Sequence, residues 1–360
     1  MSEPVKKTLN FQFPLMLAPM VGLTHVVLRQ IIHDYLPQSV DFYAPTEMLN
    51  SRKIPHEKLG QTPETLYFEN ENNLVPQILG NEKESIQLSI AKLKNEWGTS
   101  SMVRGIDINM GCPVQKALKH NYGVALMGDV DYAASVVDYA ATASDLPVSV
   151  KLRAVGSEKS IPELIQFVSK LQNAGAQWIT LHPRTAEQKR RGTADWNQIT
   201  ELKKALKIPV IGNGDIQTID DVFMMLELTK CDAVMSGRAL ATRPWMVWQL
   251  GERLNLMPNQ NLSERQAPVG EFEEGAEYGK MLLKFIRLSE FYFCQKLQMK
   301  PEYAFRKIQF FVRTTHVWLE FGHALMSEVN KSKSFAELET RVTKFFESEQ
   351  RMFGYTELRQ

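Results

Sequence analysis

Between residues 148 and 240 the chain reads VSVKLR (148–153), WITLHPRT (178–185), PVIGNGDI (209–216) and AVMSGRAL (233–240), four short apolar runs that each break off into polar or glycine-rich sequence. Val150 to Thr180 is 30 residues, Thr180 to Val210 another 30, and Val210 to Val234 24. A strand, a turn, a helix and a second turn occupy about that length. Working outward toward the N-terminus, Leu15–Ala18, Val40–Ala44, Leu74–Leu79 and Val103–Asn109 are strand candidates that precede Val148–Leu152, Trp178–Leu181, Pro209–Ile211 and Ala233–Met235, eight in all. The sequence between them reads as helix. Ile161, Leu164, Ile165, Val168 and Leu171 mark one apolar face, with a capping box at Ser160 and Glu163, Pro162 in the first turn and Gly175 at the end. Ile86, Ile90, Leu93 and Trp97 mark another, stopped by Gly98. Strands that are apolar throughout belong to a parallel sheet covered on its outer face. Eight such units predict an α/β fold, a (β/α)8 TIM barrel over residues 1–255. Past Leu250 the strand signal stops. Arg253–Ala267 reads as loop, and stripes such as Met281, Leu282, Phe285 and Ile286, or Ile308, Phe311, Val312 and Thr315, predict an all-helical domain over residues 256–360.

Bulk composition narrows the classes. The chain has 360 residues, 44% hydrophobic and 23% charged, which suits one large domain with an appendage. No apolar run reaches the roughly 18–20 residues that span a bilayer. The opening MSEPVKKTLNFQFPLMLAPM has lysines ahead of an apolar stretch, but Pro14 and Pro19 interrupt it, so it reads as the first core strand rather than a leader. Cys112, Cys231 and Cys294 are far apart and odd in number, which suggests no disulfide framework and no metal site, and fits a reducing cytoplasm. The net charge of +1 gives no general support for a nucleic-acid partner, so any such support must be local.

In a barrel of this kind the active site is built at the C-terminal ends of the strands, and the unusual clusters fall there. LAPM (17–20) follows strand one, VPQILG (75–80) carries Gln77 on strand three, and DINMGCP (107–113) ends strand four. Asn109 offers both a donor and an acceptor; Gly111 and Pro113 shape the turn around Cys112. Lys151 would sit among apolar neighbours, where an unpaired ammonium is costly, and Arg153 lies one alternation further on. His182 and Arg184 share a face of strand six. Gly212 and Gly214 flank Asn213, and Gly237 precedes Arg238; loops after strands seven and eight of a barrel commonly hold phosphate. Basic residues gather on one rim: Arg52, Lys53, Lys116, Lys119, His120, and Lys189, Arg190 and Arg191. In the tail, Arg306, Lys307 and Arg313 share a helix with Phe305, Phe310 and Phe311, the aromatics being expected to pack inside.

With LAPM, NMGCP, the His182–Thr185 segment and the paired glycine loops, the chain resembles the bacterial FMN-dependent tRNA-dihydrouridine synthases, nearly end to end over the barrel and more weakly in the tail. The resemblance implies reduction of the C5–C6 double bond of selected uridines in tRNA, with FMN as cofactor and NADPH as external reductant. It implies that Pro19, Met20 and Val21 lie against the isoalloxazine, that Gln77 pairs with the flavin pyrimidine edge, and that Lys151 stabilises the reduced ring. His182 would contact flavin or the bound base, and Asn213, Gly214, Asp215, Gly237 and Arg238 would hold the phosphate side. Asn109, Arg153 and Arg184 would face substrate, Lys189, Arg190 and Arg191 the RNA, and Arg306 and Lys307 would grip tRNA from the helical domain. Such a reduction needs a hydride at C6 and a proton at C5 from opposite faces. A thiol, with an ordinary pKa of about 8.5, is mostly protonated near neutrality, which fits Cys112 as general acid.

Three departures from the family pattern touch loop geometry: Val124 after Gly123, Pro183 after His182, and Ser236 in place of an apolar residue. A monomer working without metal or membrane is expected. Two other readings remain open at this level: a flavin enzyme acting on a free pyrimidine, which leaves the basic rim and tail unexplained, and a non-catalytic RNA-binding barrel, against which Cys112 and Lys151 speak.

Overall fold

The computed structural model describes residues 9–97, 102–154, 161–189 and 191–357, apart from the side chains of Lys116 and Ala117. Gly98, Ser160 and Arg190 lie outside the described residues, as do the side chain of Lys116 and the capping box at Ser160.

Eight parallel strands form one sheet: β1 (Leu15–Leu17), β2 (Ala44–Asn50), β3 (Leu74–Leu79), β4 (Ile106–Met110), β5 (Val148–Arg153), β6 (Trp178–His182), β7 (Val210–Asn213) and β8 (Ala233–Ser236). Their order, β1-β8-β7-β6-β5-β4-β3-β2, is that of a barrel, and the remaining gap is bridged where the Leu17 N–H donates to the Tyr43 carbonyl at 3.3 Å. The covering helices are α1 (Val26–Tyr35), α2 (Lys83–Trp97), α3 (Gln115–Lys119), α4 (Val130–Ala143), α5 (Ile161–Asn173), α6 (Asn197–Ala205), α7 (Ile219–Thr229), α8 (Arg238–Thr242) and α9 (Met246–Arg253). After them come α10 (Glu271–Ser289), which runs on into a π-helical turn at Glu290–Lys296, then α11 (Pro301–Thr315), α12 (Gly322–Lys331) and α13 (Phe335–Phe345). No described helix is long and apolar enough to cross a membrane.

The second strand differs from the expected Val40–Ala44; it begins where that segment ends. Its sequence APTEMLN is not an apolar run, yet Thr46 and Glu47 are buried. Pro45 has no N–H to donate, and the register against β3 shifts between Pro45 and Met48, the irregularity at which a proline is tolerated inside a sheet. β4 likewise starts at Ile106 rather than Val103, which makes only an isolated bridge to Leu74.

Strand alternation sorts the interior into layers. Met16, Val75, Trp178, Ile211 and Ala233 form an apolar plug at the base, Trp178 lying so close to Gly105 that a Cβ there would come within 2.6 Å of its ring. One step up, the register places Gln77 beside Asp107, Asp107 beside Ser149, and Asn109 beside Lys151. A polar layer therefore sits on an apolar floor, and the active-site loops sit on that. Outside, the helix stripes expected on α2 and α5 do face the core: Ile86, Ile90, Leu93 and Trp97, and Leu164, Val168 and Leu171, are buried.

The tail helices pack onto the barrel. Tyr35 on α1 donates to Glu277 on α10 at 2.8 Å, and Tyr292 donates to Gln30 at 2.7 Å. Phe311 is fully buried and stacks on Phe285, and Phe305 stacks on Phe335. Phe310 departs from the expected inward packing: it is 39% exposed and turned toward the mouth of the barrel.

Candidate active site

A cavity of about 520 Å³ opens at the C-terminal ends of the strands. It gathers Pro19, Met20 and Val21 after β1, Asn109, Gly111, Cys112 and Pro113 after β4, Lys151 and Arg153 on β5, and His182 and Arg184 on and after β6. Asn213, Gly214 and Asp215 after β7 and Ser236, Gly237 and Arg238 after β8 complete the barrel side, while Phe310, Arg313, Thr314 and Val317 add a wall from the tail.

The turn carrying Cys112 is held from below. Asn109 Oδ1 accepts the backbone N–H groups of Gly111 at 3.1 Å and Cys112 at 3.0 Å. Asn109 Nδ2 donates to Gln77 Oε1 at 2.8 Å, and Gln77 Nε2 donates to Asp107 at 2.7 Å. Asp107 also accepts from Ser149 Oγ at 2.5 Å. From above, Gly123 (φ +59°) passes so near that a Cβ would lie 2.6 Å from the Cys112 carbonyl, so only glycine lets the following turn close over it. Val124 N–H then donates to that carbonyl at 3.2 Å. Gln77, expected at the flavin pyrimidine edge, is fully buried, and its carboxamide is held between Asn109 and Asp107 with one N–H and one lone pair to spare.

Electrostatics follow from burial. Desolvation pushes the Cys112 thiol above its ordinary value, so it carries its proton at neutral pH. Lys151 donates to Asn213 Oδ1 at 3.0 Å, and burial, with Arg153 adding like-charge repulsion, lowers its pKa to about 8. Asn213 is fixed in turn by donating to the Met235 carbonyl at 2.7 Å. Burial raises Asp107 to about 6, against the hydrogen bonds from Gln77 and Ser149 and the charge of Lys151. Burial and then Lys151 hold His182 far below its ordinary range, so it is a neutral imidazole. Arg184 can only donate, so its 3.4 Å contact makes His182 Nε2 the acceptor.

Arg184, expected to face substrate, lines the cavity; it is buried, pairs with Asp215 at 2.6 Å and donates to the Arg191 and Gly192 carbonyls. Arg153 donates to the Gly111, Thr185 and Lys189 carbonyls, tying the β6 loop to the Cys112 turn. The backbone is thus stapled inward at Thr185, Lys189, Arg191 and Gly192, while the side chains of Lys189 and Arg191 are exposed. Lys307 departs from its expected place: its ammonium is mostly buried, 3.5 Å from Glu47, rather than displayed on an outer basic face. Arg306 remains exposed beside Tyr303, outside the cavity. On the rim Arg52 is paired with Glu82, while Lys53, Lys119 and Arg313 are exposed.

Sequence reasoning passed over Asp107, Glu47, Phe310 as a cavity residue, and Glu357, which also lines the cavity. Asp107 lay two residues before Asn109 and so on the same strand face, a signal that was present. Nothing local could have marked Glu357; it arrives because Thr356 exchanges two hydrogen bonds with Gln217, at 3.0 and 3.1 Å.

A family model described as dihydrouridine synthase matches residues 16–342. A probable tRNA-dihydrouridine synthase 1 of Synechocystis is 34% identical over 233 residues, covering 65% of this chain and 63% of that protein. Probable tRNA-dihydrouridine synthases of Rhizobium leguminosarum (32% over 231 residues, 64% of this chain, 69% of that protein) and Mycobacterium tuberculosis (33% over 251 residues, 66% and 61%) are similarly related. The matched region thus spans less than two thirds of the Synechocystis and Mycobacterium proteins.

Proposed function

Because the chain belongs to the dihydrouridine synthase family, we propose that it reduces selected uridines of tRNA to 5,6-dihydrouridine, using FMN with NADPH as external reductant. The observation that carries this reading is the meeting, in one cavity, of a protonated thiol at Cys112 and a buried ammonium at Lys151.

The donor set fits a flavin mononucleotide. Lys151 is a buried cation suited to the anionic edge of a reduced ring. Ser236 Oγ lines the cavity, is buried, and has no hydrogen-bond partner among the described residues, an orphan that a polar ligand would satisfy. At Gly237 a Cβ would come within 3.2 Å of Met20 Sδ, so glycine keeps the floor between the β1 and β8 loops open. Gly214, Asp215, Gly237 and Arg238 are the phosphate-side residues, and Pro19, Met20 and Val21 the ring-side ones.

When bound, reduced flavin supplies a hydride for C6 of the uracil. The chain supplies the rest. Cys112 holds a proton at Sγ for delivery to C5, and the Asn109–Gln77–Asp107 relay keeps its turn at fixed height. His182, being neutral, can share a hydrogen bond with a base or ring edge without bringing a charge. The uridine must leave its stack to enter, which is easiest in tRNA loops. Lys189, Arg190 and Arg191 then meet phosphates at the rim, and residues 256–360 serve as the helical RNA-gripping domain, with Arg306 as its outward cation.

Nucleoside mass spectrometry on tRNA and rRNA from a strain lacking the gene tests this reading. Loss of dihydrouridine at defined positions, restored by the intact gene but not by Cys112→Ala, is the expected outcome. Unchanged RNA, with turnover of free uracil or orotate by the purified protein, would replace tRNA by a free pyrimidine.

A further inference from the structure

The wall that α11 gives the cavity is joined to the β1 loop by a chain of contacts crossing from the tail to the barrel. Gly22, at φ +83°, turns its N–H onto Glu47 Oε2 at 2.9 Å. The other oxygen of Glu47 lies 3.5 Å from Lys307 Nζ, with side-chain exposures of only 4% and 14%. One turn along α11, the ring of Phe310 covers Gly22 so closely that a Cβ there would be 2.8 Å from it. Spacings of three and four residues then carry the same face through Phe310, Arg313, Thr314 and Val317, all of which line the cavity. The loop is also closed on itself: Met20 N–H donates to Thr24 Oγ1 at 3.0 Å, and Thr24 N–H returns to the Met20 carbonyl at 3.0 Å. Its height above the barrel is therefore set by two things, its own turn and the Glu47–Lys307 strut.

Resting on the flavin reading above, we propose that Lys307 and Glu47 are positioning residues: α11 clamps the Pro19–Leu23 loop at the level where it meets the flavin ring. A mostly buried carboxylate binding a backbone N–H is useful only while its charge is matched. Removing the Lys307 ammonium leaves Glu47 to take up a proton or move, and the Gly22 anchor weakens with it. The tail then acts on the flavin site as well as on RNA.

Two readouts decide this. Hydrogen exchange of the peptide containing Gly22 is measured in Lys307→Met, Glu47→Gln and Lys307→Arg, and FMN affinity is measured by fluorescence titration of the same apoproteins. The expected result is faster exchange at Gly22 and about a tenfold weaker FMN Kd in Lys307→Met and Glu47→Gln, the size of one charge-assisted hydrogen bond. The double variant should be no worse than either single one, Lys307→Arg should recover most of the loss, and RNA affinity should keep its wild-type salt slope. Wild-type exchange and FMN affinity in Lys307→Met, with weaker RNA binding and a flatter slope, would overturn the proposal and return Lys307 to the RNA surface. A wild-type protein that takes up no FMN would sink the flavin reading instead, and exchange at Gly22 would still decide the strut.

Discussion

Asn109 Oδ1 accepts the backbone N–H of Cys112 at 3.0 Å, so the residue proposed as proton donor is fixed through its main chain on the cavity wall. The same carboxamide is anchored in the barrel by Gln77 and, through it, by Asp107. The thiol's position is in this way tied to strands β3 and β4 rather than to a loop.

Asn109→Ala removes the acceptor shared by Gly111 and Cys112. Single-turnover reduction of uridine by prereduced enzyme should slow by tenfold or more, on the order of a misplaced general acid. Flavin should remain bound. A rate within twofold of wild type would mean that the turn holds without its anchor.

Cys112→Ala should leave flavin bound and reducible while product formation falls by about 10²-fold. Loss of the flavin itself would make the residue structural.

The thiol's upward shift has a direct chemical check. Because only thiolate alkylates and burial raises the Cys112 pKa, iodoacetamide modification should be slow at pH 7 and accelerate only above the ordinary thiol range. Peptide mass mapping separates it from Cys231 and Cys294. Fast labelling at pH 7 would identify a thiolate and remove the general-acid role.

Lys151 offers a test in stability. Its folded pKa of about 8 lies below the unfolded lysine value of about 10.4, so the folded state binds fewer protons between them. The cost of burying the ammonium is full below pH 8 and is relieved as pH rises toward about 10.4. Apoprotein carrying Lys151→Met should therefore melt at or above the wild-type temperature at pH 7, and its advantage should shrink over that alkaline window. A variant that melts lower at pH 7 would show that Asp107 and Asn213 more than offset the desolvation.

Replacing Lys189, Arg190 and Arg191 together by Ala should weaken tRNA binding and flatten its salt dependence. Flavin content should be unaltered, since the backbone carbonyls of residues 189 and 191 that receive Arg153 and Arg184 survive the change. Unchanged binding would leave this run as solvated surface.

The barrel and most of its mouth were determined by the sequence itself, because both rest on short-range regularities. Apolar runs that recur every 24 to 30 residues with helical stripes between them read as buried parallel strands, and Asn109, Lys151, Arg153 and His182, which close those runs, then fall at one end of the barrel. Burial and pairing were decided only by the tertiary structure. β2 hid its start because Thr46 and Glu47 are polar residues whose partners, Gln77 N–H for one and Gly22 and Lys307 for the other, lie far along the chain. Lys307 looked like an outward cation until the fold supplied Glu47, and the partners that hold Arg184 and Gln77, Asp215 for one and Asp107 and Asn109 for the other, could not be read from the chain. A charged or amide side chain has the same sequence signature whether it faces solvent, ligand or a buried partner. The difference is the desolvation cost and the group that offsets it, and that group is brought near only when residues distant in the chain pack together.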